Sequence, residues 1–334
     1  MRFLFRLLTL AILAALLAVA AGFWWLQQPL SIATGPDGQV RELVVPAGSS
    51  AKGVANAVQA AGTEVNTTLL YAWFRLSGKG REIKAGTYAL DVGLTPRTLL
   101  DRLVKGEQVL RSFTLVEGWN IRDVLRAVRA NQDLTQDIDG MTAEQLMARL
   151  GYPGVHPEGR FFPDTYHVAP RSPASALLKE AAATMERKLA EAWAQRRQDV
   201  PLRSPTEALI LASIVEKETG AASDRPMIAG VFSNRLRIGM RLQTDPSVIY
   251  GLGERFDGNL RRRDLEADTP YNSYTRAGLP PTPISMPGWA SLMAVMQPAE
   301  TKALYFVARG DGSSHFSNSL DEHNSAVRRY ILKR

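Results

Sequence analysis

The hydrophobic positions of this chain follow different rules in different places. Residues 7–26, LLTLAILAALLAVAAGFWWL, contain no charged side chain. At about 1.5 Å per residue, a helix of that length covers the roughly 30 Å hydrocarbon core of a bilayer. Arg2 and Arg6 precede the run, and Trp24 and Trp25 close it. Basic residues stay on the cytoplasmic side and tryptophans favour the interface. The pattern predicts a cytoplasmic N-terminus (1–6), a membrane span (7–26) and a body outside. A cleaved signal peptide is the competing reading, with Ala18, Ala20 and Ala21 as small residues near a cut. Signal h-regions are shorter, about 7–15 residues, and this run ends in aromatics.

Residues 27–40 are polar, with Pro29, Gly35, Pro36 and Gly38, and read as a linker or the entry to a first strand. Fully extended, such a segment reaches at most about 50 Å. From Arg41 the pattern becomes that of a folded domain. A strand at 42–45 is followed by a helix over 50–61, capped by Ser49 or Ser50 and stopped by Gly62. A helix over 66–77, an extended stretch over 84–90 and a helix over 95–105 complete a compact α+β unit, 41–110. The remainder, 111–334, reads as a mixed α/β domain. It starts with an alternating strand at 109–115 and helices near 121–130 and 142–150. An amphipathic helix over 172–197 leads to helices over 204–219 and 224–236. Polar and aromatic loops fill 239–288. A helix near 288–296, a strand at 304–308 and a C-terminal helix from 321 close the chain.

Composition narrows the chemistry. The chain has no cysteine, so thiol nucleophiles and thiolate metal sites are excluded. Its four histidines, His156, His167, His315 and His323, lack metal-ligand spacing, and no Walker loop or Gly-x-Ser-x-Gly elbow occurs. Ser49-x-x-Lys52 matches one motif of penicillin-binding proteins, but the accompanying Ser-Asp-Asn and Lys-Thr-Gly are missing. The net charge of +7 is scattered, apart from Arg261-Arg262-Arg263. An outward-facing body with scattered basic charge does not suggest nucleic acid as a partner.

The helix predicted at 204–219 carries two acidic candidates, Glu216 and Glu218. At about 100° per residue, Leu209, Ile210, Leu211, Ile214 and Val215 share one broad face. Glu218 falls within that face, seven residues after Leu211 and four after Ile214, and Glu216 falls opposite. Burial raises a carboxyl pKa, and glycosidic cleavage needs a carboxylic acid still protonated near neutral pH. Geometry alone also allows Glu218 to fray into solvent or to pair with Arg235. Glu216 reads as a solvated or salt-bridged residue.

Gln243, Thr244 and Asp245 offer amide, hydroxyl and carboxylate in a row, suited to sugar hydroxyls. Thr244 and Asp245 equally suit the cap of a helix around Pro246. Tyr271, Asn272 and Tyr274 combine aromatic faces with an orienting amide, and core packing is the alternative. The proline-rich loop 278–288 reads as a groove wall.

Two stretches are distinctive: Leu211-Ala-Ser-Ile-Val-Glu-Lys-Glu-Thr219, and Asn234-Arg-Leu-Arg-Ile-Gly-Met-Arg-Leu-Gln-Thr-Asp-Pro-Ser-Val-Ile-Tyr-Gly251. With them stand Lys84-Ala-Gly-Thr-Tyr88, Leu115-Val-Glu-Gly118, Glu158-Gly-Arg-Phe-Phe-Pro-Asp-Thr165, Tyr271-Asn-Ser-Tyr274, Gly278-Leu-Pro-Pro281 and Tyr305-Phe-Val307. Together they resemble the endolytic murein transglycosylases of the YceG-like family, in family order along nearly the whole chain; 131–157 matches poorly. The resemblance implies a LysM-like subdomain at 41–110, a fold that elsewhere binds glycan, and a catalytic domain at 111–334. It implies Glu218 as the essential acid; Gln243, Thr244, Asp245, Tyr271, Asn272 and Tyr274 stand as substrate-binding candidates on their side-chain chemistry. It further implies no cofactor or metal, nascent peptidoglycan strands as substrate, the bacterial inner membrane as location, and penicillin-binding synthases as partners. The reaction implied is lytic, leaving a 1,6-anhydromuramyl end. A hydrolytic muramidase and a non-catalytic wall-binding scaffold stay open as alternatives.

Overall fold

A computed structural model describes residues 2–32 and 41–333. The chain divides into two compact units. The first holds residues 1–111 with 167–171, and the second holds 112–166 with 172–334.

In the first unit, helix α1 (Arg2–Trp25) contains one candidate membrane span, Phe5–Trp25, with mean hydropathy 2.4 and no buried part. Strand β1 (Arg41–Val45) pairs antiparallel with β2 (Gly86–Leu90), register Leu43 to Tyr88. Between them lie α2 (Ala51–Ala60) and α3 (Thr67–Leu76), and α4 (Pro96–Lys105) follows. Of the two serines offered as a cap for α2, Ser50 is the one used. Ser50, Asn66 and Thr95 each accept a backbone N–H of the first turn, and Gly106 ends α4 with φ +78°. Leu43, Leu70, Phe74, Tyr88, Leu99 and Leu103 form the core with no exposed surface. Burying each such side chain contributes about 1.5–3 kcal/mol.

The residues after the span differ from the expected linker. Leu30 N–H donates to the Leu94 carbonyl (2.7 Å), Glu64 N–H donates to the Ser31 carbonyl (2.8 Å), and Ile32 bridges Thr63. Leu30 is buried in the unit's core, with Trp25 and Ile32 packed against it. Apolar residues spaced through a polar stretch, too few for a periodic signal, are enough to dock it. The rest of the expected linker, 33–40, lies outside the described residues.

Strand β3 (Arg111–Thr114) pairs with β5 (Thr165–Val168); in the second unit, two-residue β4 (Leu134–Thr135) pairs with β6 (Ser172–Pro173), and β7 (Tyr305–Ala308) antiparallel with β8 (Ser314–Ser317). These strands are short and never join into one sheet. The α+β class holds for the chain, but the mixed α/β domain expected here is a helical core with small strand pairs. Helices α5 (Ile121–Ala130), α6 (Ala143–Leu150), α7 (Ala174–Ala194), α8 (Pro205–Glu218) and α9 (Arg225–Arg237) follow the predicted order. The expected loops of 239–288 contain α10 (Asp245–Leu252) and α11 (Arg262–Glu266). Then come α12 (Trp289–Met296) and α13 (Leu320–Tyr330).

Helix α8 is the centre. It touches α7, α9, α10 and α12, and every residue from Ala208 to Val215 is buried. The second half of the proline-rich loop, residues 283–288, is buried as a strap along α8. Ile284 N–H donates to Ser213 Oγ (3.0 Å), and Ser285 Oγ donates to the Ser213 carbonyl (3.0 Å).

Candidate active site

Ser204 caps α8 by accepting the Glu207 N–H, and Pro205 occupies its first turn. At the other end Thr219 leaves the helix with ψ 111°, and its hydroxyl donates to the Val215 carbonyl (2.6 Å). Glu218 is therefore the last helical residue. It keeps a partial opening to solvent, while its carboxyl group is enclosed. Burial raises that carboxyl to about 7, and the negative charge of Asp245 adds to the rise. The Thr244 hydroxyl and the Arg235 charge oppose it.

Of the two readings of Glu216, solvated or salt-bridged, the structure has the second. Its side chain is only 7% exposed. It accepts the Gly288 N–H (2.9 Å) and lies 3.7 Å from the Arg225 guanidinium. The face opposite Glu218 is covered by the strap and by the start of α9, which a single-helix projection cannot reveal. Glu117 faces the same group; burial and then the Glu216 charge raise its pKa.

Arg235 does not form an ion pair with Glu218. Its Nε donates to the Leu304 carbonyl (2.7 Å) and its Nη1 to the Leu242 carbonyl (2.6 Å), with the Tyr305 ring 5.3 Å from the guanidinium carbon. It ties α9 to β7 and to the loop entering α10, and supplies positive potential near Glu218. Its placement was legible by the argument that singled out Glu218: Arg235 lies seven residues after Ile228 and three after Phe232, both buried on the same face of α9.

The loop before α10 turns sharply. Gln243 has φ +50°, the left-handed region, which costs a non-glycine residue about 1 kcal/mol. Such strain gathers at functional sites. The turn leaves Gln243 and Asp245 exposed and sends Thr244 inward, 1% exposed. Thr244 stands at the N-cap of α10, but its side chain makes no cap bond. Its Oγ1 is buried without a hydrogen-bond partner, yet close enough to Glu218 to lower its pKa. Ser273 clasps this loop: its hydroxyl accepts the Thr244 N–H (2.9 Å) and shares a hydrogen bond with Ser247 (2.9 Å).

Of the other candidates, Tyr274 lies beside Asp245 and near Glu218. Its hydroxyl donates to Asp245 at 2.6 Å, and burial, then Asp245, holds the phenol well above its usual pKa. Asn272 does not reach outward. It is 1% exposed, its amide donates to the Asp264, Leu265 and Ala267 carbonyls, and its oxygen accepts the Tyr274 N–H. Asn272 braces the loop. Tyr271 bonds Thr282 (2.8 Å) and meets the Tyr250 ring edge-on at 4.9 Å, as part of the packing.

Beside that pair lies a carboxylate that sequence reasoning did not single out. Glu158 is fully buried, and both its oxygens accept the Ile121 N–H at the start of α5 (3.1 and 3.2 Å). Burial raises it to about 7, against the lowering pull of Ile121 N–H and the Tyr250 hydroxyl. It sits in a turn-rich stretch with no helical face, so no periodic signal marks it.

Known proteins resemble this chain along most of its length. The YceG-like family model matches residues 43–329. A Bacillus subtilis protein named endolytic murein transglycosylase is 29% identical over 86% of this chain and 84% of its own length. One of the same name from Streptococcus pneumoniae is 26% identical over 93% of this chain, which spans 63% of that longer protein. The crystal structure of a yceG-like protein from Listeria monocytogenes superposes with a TM-score of 0.54. It is 28% identical, covering 86% of this chain and 99% of its own.

Proposed function

This chain belongs to the YceG-like family, and on that premise we propose that it is a membrane-anchored lytic transglycosylase cleaving nascent peptidoglycan strands, with Glu218 as its acid and base. The relatives' names support the reaction class. The single observation that carries the assignment is the Glu218 carboxyl raised to about 7 at the end of the buried helix α8. Near neutral pH such a group is present in both forms, which a residue that first gives and then takes a proton requires.

The step balances with one carboxyl group. Protonated Glu218 donates to the glycosidic oxygen between N-acetylmuramic acid and N-acetylglucosamine as the C1–O bond breaks. The muramyl C6 oxygen attacks C1, and its proton passes to the Glu218 carboxylate. A 1,6-anhydromuramyl end forms and the acid is restored. Thr244 and Arg235 stabilise the carboxylate phase, and the Asp245 charge stabilises the protonated one. Gln243 and Asp245, both exposed, and Tyr274 beside them are the candidate sugar contacts.

The strand–helix–helix–strand order of the first unit supports its reading as a LysM-like, glycan-binding subdomain. Helix α1, with Arg2 and Arg6 in its N-terminal part ahead of the uncharged run, supports inner-membrane anchoring with the body outside. Penicillin-binding synthases as partners rest on the family resemblance alone.

Mass spectrometry of peptidoglycan digested by the purified chain tests the reaction. Anhydromuramyl ends from wild type, lost in Glu218→Gln, are expected. Reducing ends without anhydro sugar would replace the lytic reading by a muramidase. Unchanged strand shortening by the variant would remove Glu218 from the chemistry.

A further inference from the structure

The end of α1 is built into the first unit rather than tethered to it. The helical turn continues past Trp25: Leu26 N–H donates to the Gly22 carbonyl (3.0 Å), Gln27 N–H to Trp24 (3.1 Å) and Gln28 N–H to Trp25 (3.1 Å). Arg97 N–H then donates to the Leu26 carbonyl (3.4 Å), and Leu30 N–H to the Leu94 carbonyl (2.7 Å). Leu26 is the last residue of the uncharged run. The headgroup layer on each side of a bilayer is about 5–8 Å deep. With α1 read as the span, a backbone bonded directly to Leu26 falls at the headgroup layer.

We propose that the first unit is seated on the lipid headgroups through its Asp91–Arg97 segment, so that anchor and unit form one body at the bilayer surface. The proposal rests on reading α1 as a membrane span. The side chains of the segment suit that occupant. Asp91 to Leu94 form a tight turn, with Leu94 N–H donating to the Asp91 carbonyl (3.1 Å) and Gly93 at φ +88°. The turn presents Val92 at its apex, 88% exposed, an apolar side chain with no protein to cover it. The acidic member, Asp91, is paired with Arg102 (2.6 Å) and so does not confront anionic headgroups unmatched. Arg97 is exposed, and a free guanidinium matches lipid phosphate. Trp24, 66% exposed, and Trp25 stand where interfacial aromatics are found.

The absence of cysteine makes any introduced cysteine a unique label. The full chain, reconstituted in phosphatidylethanolamine–phosphatidylglycerol vesicles, would carry an environment-sensitive fluorophore at Val92→Cys. Leu76→Cys is the comparison: it is 85% exposed at the end of α3, and Lys79 just after it pairs with Asp101, beyond the first turn of α4 from Arg97. Ala15→Cys reports the span itself. A spin label on the lipid headgroup should quench the label at 92 several-fold more than the one at 76, and an acyl-chain spin label should quench the one at 15. Arg97→Cys, also exposed, gives an independent second reading of the same face. Equal quenching at 76, 92 and 97, with 15 quenched, overturns the seat while leaving the anchor. An unquenched label at 15 removes the anchor and the seat with it.

Discussion

Tyr274 donates a 2.6 Å hydrogen bond to Asp245, and Asp245 is the carboxylate whose charge helps keep Glu218 protonated. Burial is the larger cause, and Asp245 adds to it from outside the helix that carries the proposed acid. Asp245 also separates the two enzymatic readings. In Asp245→Asn the negative charge is gone, so the Glu218 pKa falls and the alkaline limb of kcat/KM moves to lower pH. Below that limb, turnover should stay within about tenfold of wild type. A loss of about 100-fold or more at every pH, the usual scale for removing a general base, would make Asp245 the base of a hydrolase.

Glu218 itself should show the full effect. Glu218→Gln retains shape and hydrogen bonding but cannot cycle a proton, and a loss of about 10²–10⁴-fold or more in kcat is expected. In the wild type, the acid form is present below about 7 and is lost above it. The rate at saturating substrate should therefore decline on the alkaline side.

Thr244→Val tests the buried hydroxyl. That group lowers the Glu218 pKa, so its removal raises it and moves the alkaline limb upward, opposite to Asp245→Asn. Because Thr244 Oγ1 has no other hydrogen-bond partner, the substitution leaves no other group unpaired. Thermal unfolding should change little while the pH profile shifts.

Asn272→Ala should act on stability rather than chemistry. The variant loses the donors to three carbonyls and the acceptor for Tyr274 N–H in a buried setting. Destabilisation of about 2–4 kcal/mol is expected in denaturant unfolding. The KM of the folded fraction should be unchanged; a raised KM at full folding would return Asn272 to the sugar site.

Glu158 carries a pH signature of its own. Its folded pKa of about 7 lies above the ordinary 4.5. The folded state therefore holds the proton more tightly. This contribution is fully present below the unfolded value and is lost as pH rises through the folded one. Wild type should lose about 3 kcal/mol more than Glu158→Gln between pH 4.5 and pH 7.5. Paired unfolding curves at the two pH values measure the difference.

Much of this was legible in the chain. The expected caps Thr142 and Ser204, and Ser50 of the two serines offered, are observed, because a cap bond closes within three residues. The apolar run of α1 and the stripe that places Glu218 in α8 are likewise local patterns. The same arithmetic, applied to α9, points at Arg235. What the sequence left open depended on partners far along the chain. Glu216 is buried because Gly288, 72 residues on, and Arg225 close over it. Thr244 turns inward because Ser273, 29 residues later, holds its backbone. Asn272 faces in because three carbonyls converge on it, and residues 30–32 dock because Leu94 and Thr63 await them. The sequence alone determined which elements form and which carboxylate lies on an apolar stripe, since those follow from contacts within a turn or two. The tertiary structure alone decided which polar groups are buried and what faces them. Burial is a property of surfaces brought together from distant segments, and those surfaces set the pKa of Glu218.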